Sequence, residues 1–131
     1  MDPMLNQTAI YAIRAMGFLA RQDMDTPVLS STIAKEMKIP PNFLSKIFTR
    51  LGQAGLVIST RGRGGGVMLS RSASKIYLFE VVDLFMKIDD FKQCLLGMGN
   101  CSGSCGLHRR WRIISDQFEK MLGETTIAEA L

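Results

Sequence analysis

The fold is decided by residues 33–71, which read IAKEMKIPPNFLSKIFTRLGQAGLVISTRGRGGGVMLSR. Pro40 and Pro41 end a short helical segment, because proline lacks an amide donor and restricts the residue before it. Pro41 also suits the first turn of a second helix, where a missing N–H leaves no hydrogen bond unmade. Gly55 suits the left-handed position just past the end of that helix. The segment therefore predicts two helices joined by a tight turn.

The second of these helices is predicted to be amphipathic. Its apolar side chains recur at the i, i+3, i+4, i+7 spacing of one buried face. They are Leu44, Ile47, Phe48, Leu51 and Ala54. The opposite face carries hydrogen-bonding and cationic side chains, namely Asn42, Ser45, Lys46, Thr49, Arg50 and Gln53. The pattern predicts a helix with one face in the core and a polar face available to a ligand.

Two short β-prone runs follow, LVIS at 56–59 and VMLS at 67–70, with TRGRGGG between them. Glycine permits positive φ and a close approach of the backbone. An arginine at such a tip pairs bidentately with phosphate or enters a narrow minor groove. A helix, a turn, a helix and then a hairpin with a basic tip predict a winged helix-turn-helix. A nucleotide-binding loop is a weaker interpretation, because no Walker lysine or Rossmann spacing accompanies the glycines.

The excess positive charge of the chain is concentrated in residues 35–75. The whole chain holds 16 Lys and Arg against 12 Asp and Glu, a net charge of +4. Residues 35–75 hold eight of these cations and a single acid, Glu36, while the other segments are balanced or acidic. Such clustering is typical of a polyanion-binding face. A solvated basic surface without a partner is the alternative, and charge alone does not decide between them.

Further helices complete a mostly α prediction with a small β-hairpin wing. The segments 5–21 and 78–88 are apolar around most of their circumference, which indicates burial. A long last helix is predicted from about Leu107 to Leu122. Its apolar residues fall at 107, 111, 114, 118 and 121, the spacing of a coiled-coil seam. The seam favours pairing with a second copy of the chain, and packing on its own domain is the alternative.

Length and composition predict one continuous domain and exclude several classes of protein. The 131 residues are 47% apolar and 21% charged, which excludes a disordered chain. Within the domain we expect a winged helix-turn-helix DNA-binding region at 1–75, and a cysteine-containing loop with a dimerisation helix at 76–131. No run approaches the roughly 18 apolar residues of a membrane span. The start MDPMLNQTAI lacks the features of a secretory signal, so we expect a cytoplasmic protein with no membrane partner.

The three cysteines and the only histidine lie within 15 residues of one another: Cys94, Cys101, Cys105 and His108. Thiolates are the ligands that iron–sulfur clusters require, and a histidine can replace one of them. A tetrahedral zinc site would use the same atoms. A reversible disulfide between Cys101 and Cys105 would make a thiol switch without metal, and free thiols without a role are a further alternative. The residues alone leave these alternatives open.

Catalysis is not expected, because the sequence contains no nucleophile–base constellation and its only histidine is already a ligand candidate. Two classes of binding protein remain. One is a DNA-binding regulator, and the other is a metal-carrying protein whose basic face binds a protein partner. Salt dependence separates the two classes, because DNA binding weakens steeply as salt rises.

Four motifs resemble the Rrf-type winged-helix transcription regulators of bacteria. They are YAIRAM at 11–16, IAKEMKIPPNFLSKIFTRLGQAGLV at 33–57, RGRGGGVMLSR at 61–71 and the cysteine-rich segment before Trp111. The resemblance implies a homodimer that pairs through its long C-terminal helices and binds a double-stranded DNA operator. It also implies an iron–sulfur cluster, 2Fe–2S or 4Fe–4S, that sets operator affinity, with zinc as the lesser alternative. RNA polymerase is a further candidate partner.

The regulator interpretation assigns a role to each candidate residue. The expected major-groove residues are Asn42, Ser45, Lys46, Thr49 and Arg50, and the expected wing residues are Arg61, Gly62, Arg63 and Gly64. The expected cluster ligands are Cys94, Cys101 and Cys105, joined by His108. The resemblance suggests His108 as the fourth ligand, because the iron–sulfur regulators of the family share its C-x2-H spacing from the last cysteine.

The chain departs from the family pattern at several positions. Arg63 stands where the wing usually has proline, and Ser45 stands where iron–sulfur regulators carry a glutamate that tunes operator choice. The cysteine spacing is C-x6-C-x3-C, which is less even than in relatives. Ile10 occupies the position of a carboxylate ligand in nitric oxide sensors, and its side chain cannot bind metal. No particular operator sequence is therefore carried over.

Overall fold

The computed structural model describes residues 5–23, 25–62, 64–92 and 105–130. These residues form six α-helices and a two-stranded antiparallel hairpin. In chain order the elements are α1 (Gln7–Ala20), α2 (Ser30–Met37), α3 (Pro41–Gln53), β1 (Val57–Thr60), β2 (Gly66–Leu69), α4 (Leu78–Phe85), α5 (Gly106–Glu124) and α6 (Ile127–Ala130). Short 3₁₀ turns at Ala73–Lys75 and Ile88–Lys92 flank α4. The predicted mostly α fold with a β-hairpin wing is confirmed.

Helix α1 lies at the centre of the core and packs against α2, α3, α4 and α6. Its fully buried residues are small or flexible, which lets the neighbouring helices approach closely. They are Ala9, Ala12, Ala15 and Met16. Asn6 caps the helix, because its Oδ1 accepts the N–H of Ala9 at 2.8 Å. The amide Nδ2 of Asn6 also donates to the carbonyl of Phe85 at 2.9 Å, so the start of α1 is tied to the end of α4.

Helices α2 and α3 form the predicted helix-turn-helix. Helix α2 ends at Lys38, whose backbone is left-handed with φ 56° and ψ 47°, and α3 begins at Pro41 as predicted. The buried residues of α3 are Leu44, Ile47, Phe48 and Leu51. Ala54 is exposed, contrary to the prediction, because it follows the last helical residue. Gly55, with φ 77°, then turns the chain toward β1.

The hairpin pairs residues 57–60 with residues 66–69, and each strand is displaced by one residue from its predicted range. Val28, in the loop before α2, pairs with Val67, the second residue of β2 after the glycine turn. The N–H of Val28 donates to the carbonyl of Val67 at 2.9 Å, and the N–H of Val67 donates back at 2.8 Å. The wing is therefore anchored to the loop that joins α1 to α2.

Helix α4 ends at Phe85, earlier than the predicted end at residue 88. The reason is a side-chain hydrogen bond, since Oδ1 of Asp83 accepts the N–H of Ile88 at 3.1 Å and starts a 3₁₀ turn. Ile88 is nevertheless buried, so the turn still belongs to the core. Helix α5 confirms the long last helix and extends slightly beyond its predicted bounds.

One hydrophobic core contains side chains from both predicted regions, 1–75 and 76–131. Two backbone hydrogen bonds fix residues 125–127 to this core. The N–H of Leu78 donates to the carbonyl of Thr125 at 2.9 Å, and the N–H of Ile127 donates to the carbonyl of Ile76 at 2.8 Å. In the part of the chain that the structure describes, no helix has the length and apolar content needed to cross a bilayer.

Candidate nucleic-acid interface

The polar face of α3 lies at the protein surface. Its predicted DNA-binding residues are all exposed: Asn42, Ser45, Lys46, Thr49 and Arg50. Their spacing of three and four residues places them on one stripe of the helix, opposite the buried stripe. Pro41 and Gly55 mark the two ends of the helix that presents them. The geometry gives a single exposed face of the kind that enters a major groove.

The chemistry of this face is mixed. The Thr49 hydroxyl donates to the carbonyl of Ser45 at 3.0 Å, so it offers its lone pairs and its methyl group outward. Lys46 and Arg50 form no ion pair with any described residue, so their N–H groups are available to an external acceptor. The face therefore combines cationic donors with a hydroxyl acceptor, which suits phosphate oxygens and base edges.

Phe43 belongs to the same surface and was missed by the sequence prediction. It is 51% exposed, and its ring meets the ring of Tyr11 edge-on at a centroid distance of 6.3 Å. An apolar residue in an amphipathic helix is assigned to the core by default. The available indication was its position, because Phe43 falls outside the i, i+3, i+4, i+7 stripe that begins at Leu44. Apolar side chains of this kind can contact the methyl group of thymine.

A pocket of about 340 Å³ lies beside Phe43 and extends to Lys46 and Arg50. Thr8, in the first turn of α1, and Phe85, the last residue of α4, also line it. The start of α1 and the end of α4 therefore both adjoin the exposed face of α3. These two helix ends are already joined to each other through the amide of Asn6.

The tip of the wing is built on glycines in left-handed conformations. Gly62 has φ 89° and Gly64 has φ 73°, values that residues with a Cβ avoid. Arg61 precedes this turn and its side chain is exposed. Arg63 lies outside the described residues. The predicted hairpin with glycines at its tip is thus present, with one of its two arginines described.

Arg71 does not belong to the exposed cationic surface. Its guanidinium pairs with Glu80 and also donates to the carbonyl of Lys75 at 3.0 Å. Glu80 in turn accepts the N–H of Tyr77 at 3.0 Å, which fixes the start of α4. Arg71 therefore connects the end of the wing to α4, and part of the charge counted in the basic segment has a structural role.

Two of the four predicted metal ligands lie at the start of α5. Cys105 is the residue before the helix, and its Sγ accepts the N–H of His108 at 3.3 Å. The Nδ1 atom of His108 is buried and has no hydrogen-bond partner among the described residues. Cys94 and Cys101 lie outside the described residues. Within the described ranges, no group of three metal-ligating side chains is assembled.

The environment of Cys105 and His108 fits a role in metal coordination. A buried ring nitrogen without a partner is unusual in folded proteins and calls for an explanation. A coordinated metal would provide one, because imidazole is a common metal ligand. Cys105 already receives an amide hydrogen bond, the kind of contact that tunes the sulfurs of iron–sulfur sites. The pair therefore suits a group held by sulfur and imidazole.

The outer face of α5 exposes a row of large apolar side chains. Leu107 is 42% exposed, Ile114 is 53% exposed and Met121 is 49% exposed, and all three belong to the predicted seam. The other two seam residues, Trp111 and Phe118, are half-buried. Ser115 and Leu122 are buried against the rest of the domain, and they lie on the flank of the seam next to Trp111 and Phe118. The helix thus packs one flank of the seam on its own domain and leaves Leu107, Ile114 and Met121 exposed on the other, as is typical of a protein–protein interface.

A helix-turn-helix with an exposed polar second helix, followed by an arginine-bearing wing, defines a winged-helix DNA-binding protein. The chain belongs to the Rrf2 family, because the family model described as an iron-dependent transcriptional regulator matches residues 5–131. It is 34% identical over 121 residues to the HTH-type transcriptional regulator IscR of Xenorhabdus nematophila. That alignment covers 91% of this chain and 73% of the relative.

Solved structures share this fold. CymR (YrzC), the global cysteine regulator of B. subtilis, superposes with a TM-score of 0.83 and 20% identity, covering 98% of this chain and 95% of that one. IscR of T. potens superposes with a TM-score of 0.76 and 23% identity, covering 98% and 86%. The predicted resemblance is confirmed, and so is DNA-binding transcription regulation as the general function. The relatives are regulators and not enzymes, as expected for this chain.

Proposed function

We propose that this chain is a homodimeric, sequence-specific regulator whose operator affinity is set by an iron–sulfur cluster. The observation that carries the DNA-binding part is the exposed polar face of α3 beside the wing. Cys94, Cys101, Cys105 and His108 are the proposed ligands. The N-terminal region, residues 1–75, reads DNA, and residues 76–131 carry the ligands and the dimer helix. The protein acts in the cytoplasm, with RNA polymerase as a further partner at promoters.

The proposed reading of DNA uses two elements. Asn42, Ser45, Lys46, Thr49 and Arg50 enter the major groove on α3. Arg61 and Arg63, on a tip that Gly62 and Gly64 shape, contact phosphates or the adjacent minor groove. Lys46 and Arg50 can donate to guanine or to phosphate, and the exposed ring of Phe43 supplies an apolar contact beside them.

The proposed dimer forms through the seam of α5. Three of its apolar side chains are 42–53% exposed in the single chain, which leaves apolar area for a partner to cover. A second copy of the same helix presents the same seam, as a two-fold interface requires. Two α3 helices then face two half-sites about one DNA turn apart, so the spacing between protomers controls operator affinity.

The proposed ligands lie where they can affect both the dimer helix and the reading helix. Cys105 and His108 occupy the first turn of α5, so coordination there fixes the start of the dimer helix. On the other side of the ligand segment, the Asn6 side chain bonds to Phe85, and the backbone N–H of Asn6 donates to Sδ of Met86 at 3.3 Å. Phe85 also lines the pocket beside α3. Because α5 also packs against α4 and against the 3₁₀ turn at Ile88–Lys92, a shift of α5 can reach the helix end that adjoins the DNA-binding face.

An iron–sulfur cluster, when bound, supplies a centre whose oxidation or loss changes the coordination of these ligands. In the proposed mechanism, coordination through Cys105 and His108 holds the first turn of α5, and loss of the cluster releases it. Allosteric coupling of this kind is typically about 1–3 kcal/mol, or about 5- to 150-fold in affinity. Ordering of the first turn of α5 favours the dimer geometry that fits the operator.

The ligand assignment is tested by an absorption spectrum of anaerobically purified protein, with iron, sulfide and zinc assayed on the same sample. Visible bands with matching iron and sulfide are expected, and they disappear in Cys101→Ala but not in the neighbouring Ser102→Ala control. Zinc without iron, or a metal-free protein that still binds DNA, would contradict the cluster. The cysteines would then form a zinc site or a thiol switch on the same fold.

The protein-partner alternative is tested separately by DNA binding. Sequence-specific duplex binding that weakens steeply with salt is expected of the proposed regulator. Absence of duplex binding by the metal-loaded protein would favour a metal carrier whose basic face binds another protein.

A further inference from the structure

A second pocket, of about 380 Å³, lies between α1 and the C-terminal end of α2. None of its lining residues belongs to the proposed DNA face or to the proposed ligand set. Its volume falls within the range of about 300–1,000 Å³ that is usual for small-molecule sites.

The α1 side of the pocket is one stripe of the helix. It consists of Arg14, Gly17, Phe18 and Arg21, at the spacing i, i+3, i+4, i+7. The two arginines stand two turns apart, about 10 Å along the helix axis. Between them Gly17 has no side chain to fill the space, and the ring of Phe18 is half-buried. The stripe is therefore an apolar hollow between two arginines, and both of them line the same pocket.

The α2 side of the pocket is formed by the last turn of that helix, Glu36, Met37 and Lys38. Met37 is half-buried and adds a second apolar wall. Lys38 is the only non-glycine residue with positive φ among those that the structure describes. Its exposed ammonium group adds a third cation to the lining.

The charge of the lining is unbalanced. Among the lining residues that the structure describes, three are cations and one, Glu36, is an acid. Arg14, Arg21 and Lys38 form no ion pair with a described residue. Arg14 and Arg21 are also the only basic residues in the first 34 positions, a segment with more acids than bases, and both line this pocket. Cations placed together without partners favour an anion between them.

We propose that this pocket binds a small organic anion with an apolar body, such as an aromatic carboxylate or phosphonate. The guanidinium groups of Arg14 and Arg21 hold the anionic group by charge-assisted hydrogen bonds, and Lys38 adds to the attraction. Phe18 and Met37 contact the apolar body. A ligand held there joins α1 to α2, the helix that precedes the DNA-reading helix.

The test is a titration of the full chain, purified anaerobically and labelled with ¹⁵N, with phenylphosphonate as the probe. Saturable shifts are expected for the amide signals of Gly17, Phe18 and Lys38. The double variant Arg14→Gln/Arg21→Gln is expected to weaken binding by at least about tenfold, because each guanidinium forms a charge-assisted hydrogen bond. The control Arg110→Gln removes an exposed arginine of α5 and is expected to leave the affinity unchanged.

Two further probes separate the contributions of charge and apolar contact. Benzyl alcohol keeps the ring without the anion, and inorganic phosphate keeps the anion without the ring, so both are expected to bind more weakly. Equal binding of either probe would overturn the proposed ligand class. Shifts confined to other residues, or unchanged affinity in the double variant, would overturn the site itself. None of these results depends on the cluster or on operator binding.

Discussion

Replacement of Arg61 by glutamine tests whether the wing contacts DNA phosphates. Arg61 is exposed at the base of a tip whose glycines have positive φ, so its removal leaves the fold intact. Each phosphate contact contributes about 0.9 to the slope of log affinity against log salt. A dimer carries two copies of the residue, so the variant is expected to reduce the slope by about 1.8.

The size of this effect over a practical salt range is large enough to measure. When salt rises from about 50 to 200 mM, both proteins lose DNA affinity. With a slope smaller by about 1.8, the variant is expected to lose roughly tenfold less affinity than the unmodified chain. The assay is fluorescence anisotropy with an operator duplex selected from a random pool, repeated at several salt concentrations. An unrelated duplex is expected to show the same slope change, because phosphate contacts carry no sequence information.

The matched control for this variant is Arg110→Gln, which removes an exposed arginine of α5 that lies outside the proposed interface. Its slope is expected to equal that of the unmodified chain. If Arg61→Gln leaves the slope unchanged, or if the control changes it equally, the wing contact inferred from the structure is wrong.

Three further variants test the dimer, the contact between β2 and the loop before α2, and the core. Ile114→Glu places a charge on the α5 seam at a side chain that is 53% exposed, and is expected to give monomers in sedimentation. The neighbouring Ile113→Glu, off the seam, should stay dimeric, and equal dissociation of both would contradict the seam. Gly66→Ala brings a Cβ to 2.5 Å from a backbone oxygen of the loop before α2, and is expected to destabilise the chain by more than about 1 kcal/mol in urea unfolding. Gly123→Ala meets open space on α5 and should stabilise by about 0.5–1 kcal/mol, so the reverse order would refute the close packing of Gly66 against Val28. Leu44→Ala, at a fully buried position of α3, should cost about 2–5 kcal/mol in the same assay, and a loss below about 1 kcal/mol would contradict its burial.

The elements that local chemistry specifies were predictable from the sequence. Pro41 and Gly55 mark the start of α3 and the turn after it, because one lacks a donor and the other tolerates positive φ. The polar face of α3 followed from the helical period alone. These features depend on residues close in sequence, so no tertiary information was needed.

The features that depend on distant contacts were not predictable. Val28 pairs with Val67 as an isolated bridge outside any strand. Because a single residue has no alternating pattern, the sequence does not predict this pairing. The amide of Asn6 reaches Phe85, which is 79 positions away in the sequence. Exposure of Phe43 depends on how Tyr11 and α4 surround it, which the helical period does not encode.

The candidate metal site was predictable as a set of ligand types but not as a geometry. Cysteines and histidine within 15 residues identify soft ligands, and several metals accept them. The structure adds that Cys105 precedes α5, the proposed dimer helix, and that Nδ1 of His108 is buried without a partner among the described residues. The proposed effect of the ligands on dimer geometry therefore rests on the position of Cys105 and His108 at the start of α5.

The central claim is that the cluster sets operator affinity, and one comparison tests it most directly. The same anaerobic preparation is divided, one half is stripped of iron by chelation, and both halves are titrated against the selected operator at one salt concentration. The account predicts affinities that differ by about 5- to 150-fold. Equal affinities, with iron loss verified on the same samples, would contradict it.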